Sequence, residues 1–121
     1  MINQLQQQYT DFKIKNHNTG WVEVITPFLD ISRDYISVYV KDSIISDDGD
    51  TIVCLKASKK AKIINYVSQE SRYWNNDLVI DEDNIEVINF TAERLMPFIQ
   101  LLIKIQGIIE NEDLYKQDEF K

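Results

Sequence analysis

"DYISVYVKDSIISDDGD", Asp34 to Asp50, decides the fold. Ile36, Val38 and Val40 alternate with Tyr35, Ser37 and Tyr39, a period of two that sends aliphatic side chains to one face of a strand and the aromatic ones to the other. A short turn at Lys41 to Ser43 returns the chain through "SIIS" as an antiparallel neighbour. The stretch then ends in an acidic corner, Asp47, Asp48 and Asp50 around Gly49. The aliphatic face is the core face. Tyr35, Tyr39 and Trp21 stand on the opposite one, where another element covers them or a partner meets them.

Upstream, "WVEVITPFLD" alternates in the same way from Trp21, and Pro27 is expected to close that strand because proline cannot donate to a ladder. Before it, "QLQQQYTDFKI" spaces Leu5, Tyr9 and Phe12 as one stripe of an amphipathic helix, stopped by the polar loop "KNHNTG". Downstream, "TIVCLKAS" is ambiguous between strand and short helix. "SKKAKIINYVSQESRYW" follows with helical spacing and Ser58 as the expected cap. Its lysines crowd the first turn, where the helix dipole disfavours them, which points to pairing with acids elsewhere. "NNDLVIDEDNIEVINF" reads as a hairpin with an acidic turn. Thr91 opens the last helix, which starts near Met96 or kinks there because of Pro97. From Phe98 to Ile109 apolar residues cover nearly the whole circumference, so this helix is buried on most sides, against the sheet or in a homodimer.

The expected fold is therefore α+β: a small antiparallel sheet of about five strands packed with an N-terminal helix, a middle basic helix and a strongly apolar C-terminal helix. A chain of 121 residues holds one core, here residues 1–114, with 115–121 as an acidic, frayed tail. The longest nearly apolar run, Leu101 to Ile105, is far short of a membrane span. "MINQLQQQYT" has neither the basic start nor the apolar run of a secretion signal, and a cytoplasmic location is expected. Cys54 is the only cysteine and His17 the only histidine, so an intrachain disulfide and a cysteine-based zinc site are excluded. Cys54, among apolar neighbours, reads as a small buried hydrophobe.

Charge carries more information. Twenty acids against thirteen bases leave a net charge of -7. Fourteen of the twenty acids fall in three windows, residues 42–50, 77–86 and 110–119, while residues 51–74 hold Lys56, Lys59, Lys60, Lys62 and Arg72 against Glu70 alone. Such a surface repels nucleic acid and favours a basic groove on another protein. Direct nucleic-acid binding is disfavoured, although the lysines keep a local basic patch.

The order of "GWVEVITPFLD", "DYISVYVK" and "SDDGDTI", followed by a hydrophobic late helix, resembles the bacterial and phage family known as domain of unknown function 1828. The resemblance spans Leu5 to Leu114 and is strongest from Gly20 to Ile52, where Asp47, Asp48, Gly49 and Thr51 match a turn that follows a strand. Ser46 stands where members often carry threonine. The resemblance implies an architecture and a mobile-element origin, and no mechanism.

Three readings of the acidic corner stay open: a turn, a partner contact and a metal site. Two aspartates at a strand end, near Asp30 or Asp34, suit magnesium. A restriction-type nuclease core, however, needs an acid-x-lysine triplet, and the triplet ending at Lys41 begins with Tyr39. A calcium loop needs glutamate where Leu55 stands. A turn asks for less, because Asp and Gly tolerate left-handed backbone angles and bond their own backbone.

The favoured function is a non-enzymatic, phage or mobile-element encoded binding protein that inhibits a host nucleic-acid-handling defence protein, as an anti-CRISPR does, by occupying its basic groove. Its partner-binding residues would be Asp47, Asp48, Asp50, Asp81, Glu82 and Asp83, with no catalytic residue, metal or cofactor. The alternatives are an oligomeric module joined through Phe98-Ile109 that sequesters an anion with Lys56, Lys59, Lys60 and Lys62, and a metal-dependent nuclease or phosphohydrolase built on Asp47 and Asp48.

Overall fold

The computed structural model describes residues 11–53 and 55–119, with side chains through residue 110. Leu5 and Tyr9 of the expected N-terminal helix, and Cys54, lie outside them. Within them, six strands form one antiparallel sheet in the order β1-β2-β3-β4-β6-β5: β1 (Lys13–Asn16), β2 (Val22–Leu29), β3 (Tyr35–Lys41), β4 (Ile44–Ser46), β5 (Leu78–Asp81) and β6 (Asn84–Val87). Helix α1 (Ala57–Glu70) carries the chain from β4 across to the far edge, and α2 (Leu95–Glu119) follows β6. The fold is α+β, and among the described residues no helix is long and apolar enough to cross a membrane.

The alternation in β2 and β3 holds in detail. Val22, Val24, Ile36, Val38 and Val40 are buried, and Ile45, Leu78, Ile85 and Val87 continue that face across the other strands. Helix α2 fills it with Leu95, Phe98, Ile99, Leu102 and Ile105, all at most 2 % exposed. Each such side chain contributes roughly 1.5–3 kcal/mol by leaving water. The apolar circumference of the helix is thus absorbed by its own sheet. Of the eight apolar residues from Phe98 to Ile109 only Ile103 is truly exposed, at 40 %, so the chain's own packing covers most of this surface.

Three local expectations need correction. "FKIK" does not end a helix: Lys13–Asn16 pairs with β2, Ile14 opposite Val24, and supplies the sixth strand. Pro27 does not end β2, which runs to Leu29. The reason is positional: β1 covers β2 only from Val22 to Ile25, and the β2–β3 register shifts between Ile25 and Leu29, so Pro27 sits at an irregularity with one side unpaired. Ser58 does not cap α1, whose N-cap is Lys56 without a side-chain cap bond. Lys60 nevertheless reaches Asp83 at 3.2 Å, the acid pairing that the misplaced lysines implied. Pro97 falls in the first turn of α2, where its missing N–H costs nothing.

Tight corners recur, and most are made without glycine. Asp42, Asp48, Glu82 and Asp83 all have positive φ, as do Arg33, Asn75, Asn76 and Asn89. Glu82 and Asp83 form the two-residue loop between Asp81 and Asn84, which pair across β5 and β6. Left-handed angles at both positions match the right-handed twist of the flanking strands.

Candidate functional site

The corner after β4 is organised by Asp47. The side chain is 1 % exposed, and its carboxylate is surrounded by backbone donors. Oδ1 accepts from the Gly49 N–H at 3.0 Å and the Ile85 N–H at 2.8 Å, while Oδ2 accepts from the Thr51 N–H at 3.2 Å. The Asp47 N–H returns to the Ile85 carbonyl at 3.1 Å, so one residue pins the corner to β6. Burial pushes its pKa up, and the bonds from Ile85, Gly49 and Thr51 pull the other way. Asp47 is therefore a structural acid rather than a partner contact. Asp48 and Gly49 take the left-handed angles, φ 56° and 76°, and the Asp48 N–H bonds Ser46 Oγ at 3.0 Å.

A metal fares poorly here. The Asp47 oxygens already hold three donors, and Asp30, the suggested neighbour, closes the β2–β3 loop by accepting from the Ser32 and Asp34 N–H groups at 2.8 and 3.0 Å. Among the described residues no three His, Cys, Asp or Glu side chains are disposed to share a metal ion.

Two acidic windows that lie more than 30 residues apart in the chain meet at this corner. A Cβ built on Gly49 would stand 3.0 Å from Asn84 Oδ1, and the Asp83 carbonyl is 4.0 Å away, so the β5–β6 loop lies directly against the Asp47–Gly49 turn. Asp48, Asp50, Asp81 and Glu82 are exposed there. Asp83, tied to Lys60, joins the buried Asp47 as an exception among the predicted contacts. Burial and then Asp47, Asp48, Asp30 and Glu23 raise the pKa of Asp50, and burial with Asp81 and Asp47 raises that of Glu86. These causes describe one connected negative field. The lysines proposed for an anion do not form a free patch: Lys60 is paired, and Lys59 and Lys62 also have partners.

The solvent face of the sheet adds a feature that the acid windows alone do not predict. Register lines up Glu23, Tyr39, Ser46 and Glu86 across β2, β3, β4 and β6. Around this row lies a cleft of about 320 Å³, with His17, Trp21, Tyr39, Asp48, Asn84 and Glu86 in its lining. His17 Nε2 is 3.0 Å from Glu23 Oε1, and its ring centroid is 6.3 Å from that of Tyr39. Burial, followed by Glu23, Asp50 and Asp48, pushes the Tyr39 phenol up, and its hydrogen bond to Glu23 adds to the effect. Tyr39 and Trp21 are half-buried cleft walls, whereas Tyr35 is open to solvent, 61 % exposed. The signal for this cleft was present in the alternation, which put Trp21, Glu23 and Tyr39 on one face; the register joining them to Glu86 was not.

The open face of the antiparallel sheet thus carries an acidic, aromatic-walled cleft. No family profile, curated protein or solved structure matches the chain. The resemblance across Gly20 to Ile52 rests on motif order alone.

The raised acids fix the sign of the pH response. Asp47, Asp50 and Glu86 release their protons at higher pH in the folded chain than in the unfolded one, so stability falls as pH rises through their folded values. Asp77, held low by Arg94 and Asn89, works the other way and loses its contribution only below the ordinary carboxylate range. The melting temperature is therefore expected to rise as pH is lowered from neutrality toward the ordinary carboxylate range, the stretch over which these three groups take up protons in the folded chain first. Glu86→Gln should melt higher at pH 7 and show a flatter profile. A melting temperature that falls steadily over that interval would contradict the raised values.

Proposed function

We propose that this protein is a non-enzymatic binding module whose acidic corner occupies a basic groove of a nucleic-acid-handling protein. The observation that carries this reading is the meeting of residues 47–50 with residues 81–84, which concentrates Asp48, Asp50, Asp81 and Glu82 on one exposed end of the sheet. The net charge of -7 adds a long-range field of the same sign. Such an arrangement speeds encounter with a basic partner and competes with phosphate for the same groups. A defence nuclease guided by RNA, with its positively charged channel, is the kind of target that this charge fits. Inhibition would then follow from occupancy, with no chemistry performed by the module.

The test is affinity capture from a host lysate, with the bound fraction eluted in parallel by salt and by added duplex DNA. A nucleic-acid enzyme released by both is the expected result, since exposed charge contacts are screened by salt and displaced by phosphate. Retention indifferent to both would overturn the proposal.

A further inference from the structure

We infer that the cleft between Trp21, Tyr39 and Glu86 is a receptor for an arginine side chain of the protein's partner. The inference rests on the acidic-module reading above and assigns a ligand to one part of that surface. Three independent features select the occupant. The walls are aromatic: Trp21 and Tyr39 are half-buried, so each offers part of a ring to a guest. The charges are carboxylate: Asp48 and Glu86 line the space, and Glu23 stands beside Tyr39 in the same cross-strand row. The site also already handles a cation, since Lys41 Nζ lies 5.8 Å from the Trp21 ring centroid while donating to the Thr19 carbonyl at 3.3 Å.

A planar guanidinium suits these features better than an ammonium does. It is weakly hydrated, stacks on aromatic faces and presents paired N–H groups to a carboxylate. A space of about 320 Å³ is at the small end of the range for ligand pockets, which fits one side chain rather than a nucleotide. The pKa of Glu86 is raised by burial and then by Asp81 and Asp47, so an arriving cation relieves a standing repulsion. Asn84 supplies an amide at the rim beside the acidic corner, and His17 closes the opposite side through its bond to Glu23. Lys41 stands at the Trp21 ring and competes with the guest for it.

The two tryptophans make the test direct, because Trp74 is 9 % exposed, lies next to Arg94 and lines a different cavity. The intact chain is titrated with N-acetylarginine amide, N-acetyllysine amide and N-acetylnorleucine amide while both indole N–H resonances are followed. Arginine is expected to move the Trp21 signal in a saturable way and leave Trp74 in place, with lysine weaker and norleucine inert. Glu86→Gln should weaken the arginine response about fivefold or more, and Lys41→Gln should strengthen it. An unmoved Trp21, equal responses to arginine and norleucine, or an unchanged response in Glu86→Gln would each overturn the inference. An arginine-rich peptide run in the same series separates the two proposals. If the peptide binds in a salt-sensitive way without moving Trp21, the acidic module stands and the cleft assignment falls. If it does not bind at all, both fall.

Discussion

Asp47→Ala should lower the melting temperature by on the order of 15 °C, the largest effect expected of any single exchange in the acidic corner. The substitution removes the acceptor of three backbone N–H groups, those of Gly49, Thr51 and Ile85, in a place that solvent does not reach. An unsatisfied buried donor costs about 1–3 kcal/mol, so a total near 3–5 kcal/mol is expected once the surroundings relax. Part of that loss is returned, because a buried carboxylate is itself unfavourable, as its raised pKa records. Asp47→Asn divides the two contributions. Its oxygen can keep the two shorter bonds at Oδ1, but its nitrogen then faces the Thr51 N–H, donor against donor, so an intermediate loss is expected. Gly49→Val should also be severe, since it forces a branched residue to φ 76° with Asn84 Oδ1 only 3.0 Å from its Cβ. Asp48→Asn, at an exposed position, should leave thermal unfolding nearly unchanged. A melting curve of Asp47→Ala that overlays the parent would show that the corner is held by something other than this carboxylate.

The second large effect concerns binding. Replacing Asp48, Asp50 and Asp81 by asparagine and Glu82 by glutamine should weaken capture of the partner by about 100-fold, chiefly through slower association. The expected fold change comes from removing four charges from one end of the sheet, not from breaking four contacts. Folding should not suffer. The pKa of Asp50 is raised by burial and then because Asp47, Asp48, Asp30 and Glu23 crowd it, so neutralisation should hold or raise the melting temperature. Association and dissociation rates at two salt concentrations, read beside circular dichroism, separate the alternatives. A variant that folds, binds as tightly as the parent and shows the parent's salt dependence would remove the acidic corner from the interface.

The strands and the sheet's inner face were legible because residues 22–40 alternate so regularly, and the apolar spacing from Phe98 to Ile109 announced a helix buried on most sides. What periodicity left open was the identity of the cover. Only the packing shows α2 meeting its own sheet. A turn was one of the readings that the residues of the corner allowed, but the different fates of its acids were not visible. Asp47 and Asp48 are adjacent and chemically identical, yet one is enclosed by N–H groups of Gly49, Thr51 and Ile85 and the other faces the cleft. That difference depends on β6 lying beside β4, a pairing across roughly 40 residues that no local pattern encodes. The cleft was missed for the same reason: Tyr39 and Glu86 become neighbours only through the Ser46 position between them.

The left-handed corners have a further consequence. With three glycines in 121 residues, the chain entrusts two reversals at the acidic end of the sheet to Asp48, beside Gly49, and to the Glu82–Asp83 pair. Backbone handedness and surface charge are therefore encoded by the same letters. A drift toward glycine at these places, which would relax the main chain, also erodes the electrostatic character of that end of the molecule. Conversely, each acid kept there holds the reversal in a less comfortable form. For this protein, topology and surface charge are not separate inheritances; a lineage cannot smooth one without blunting the other.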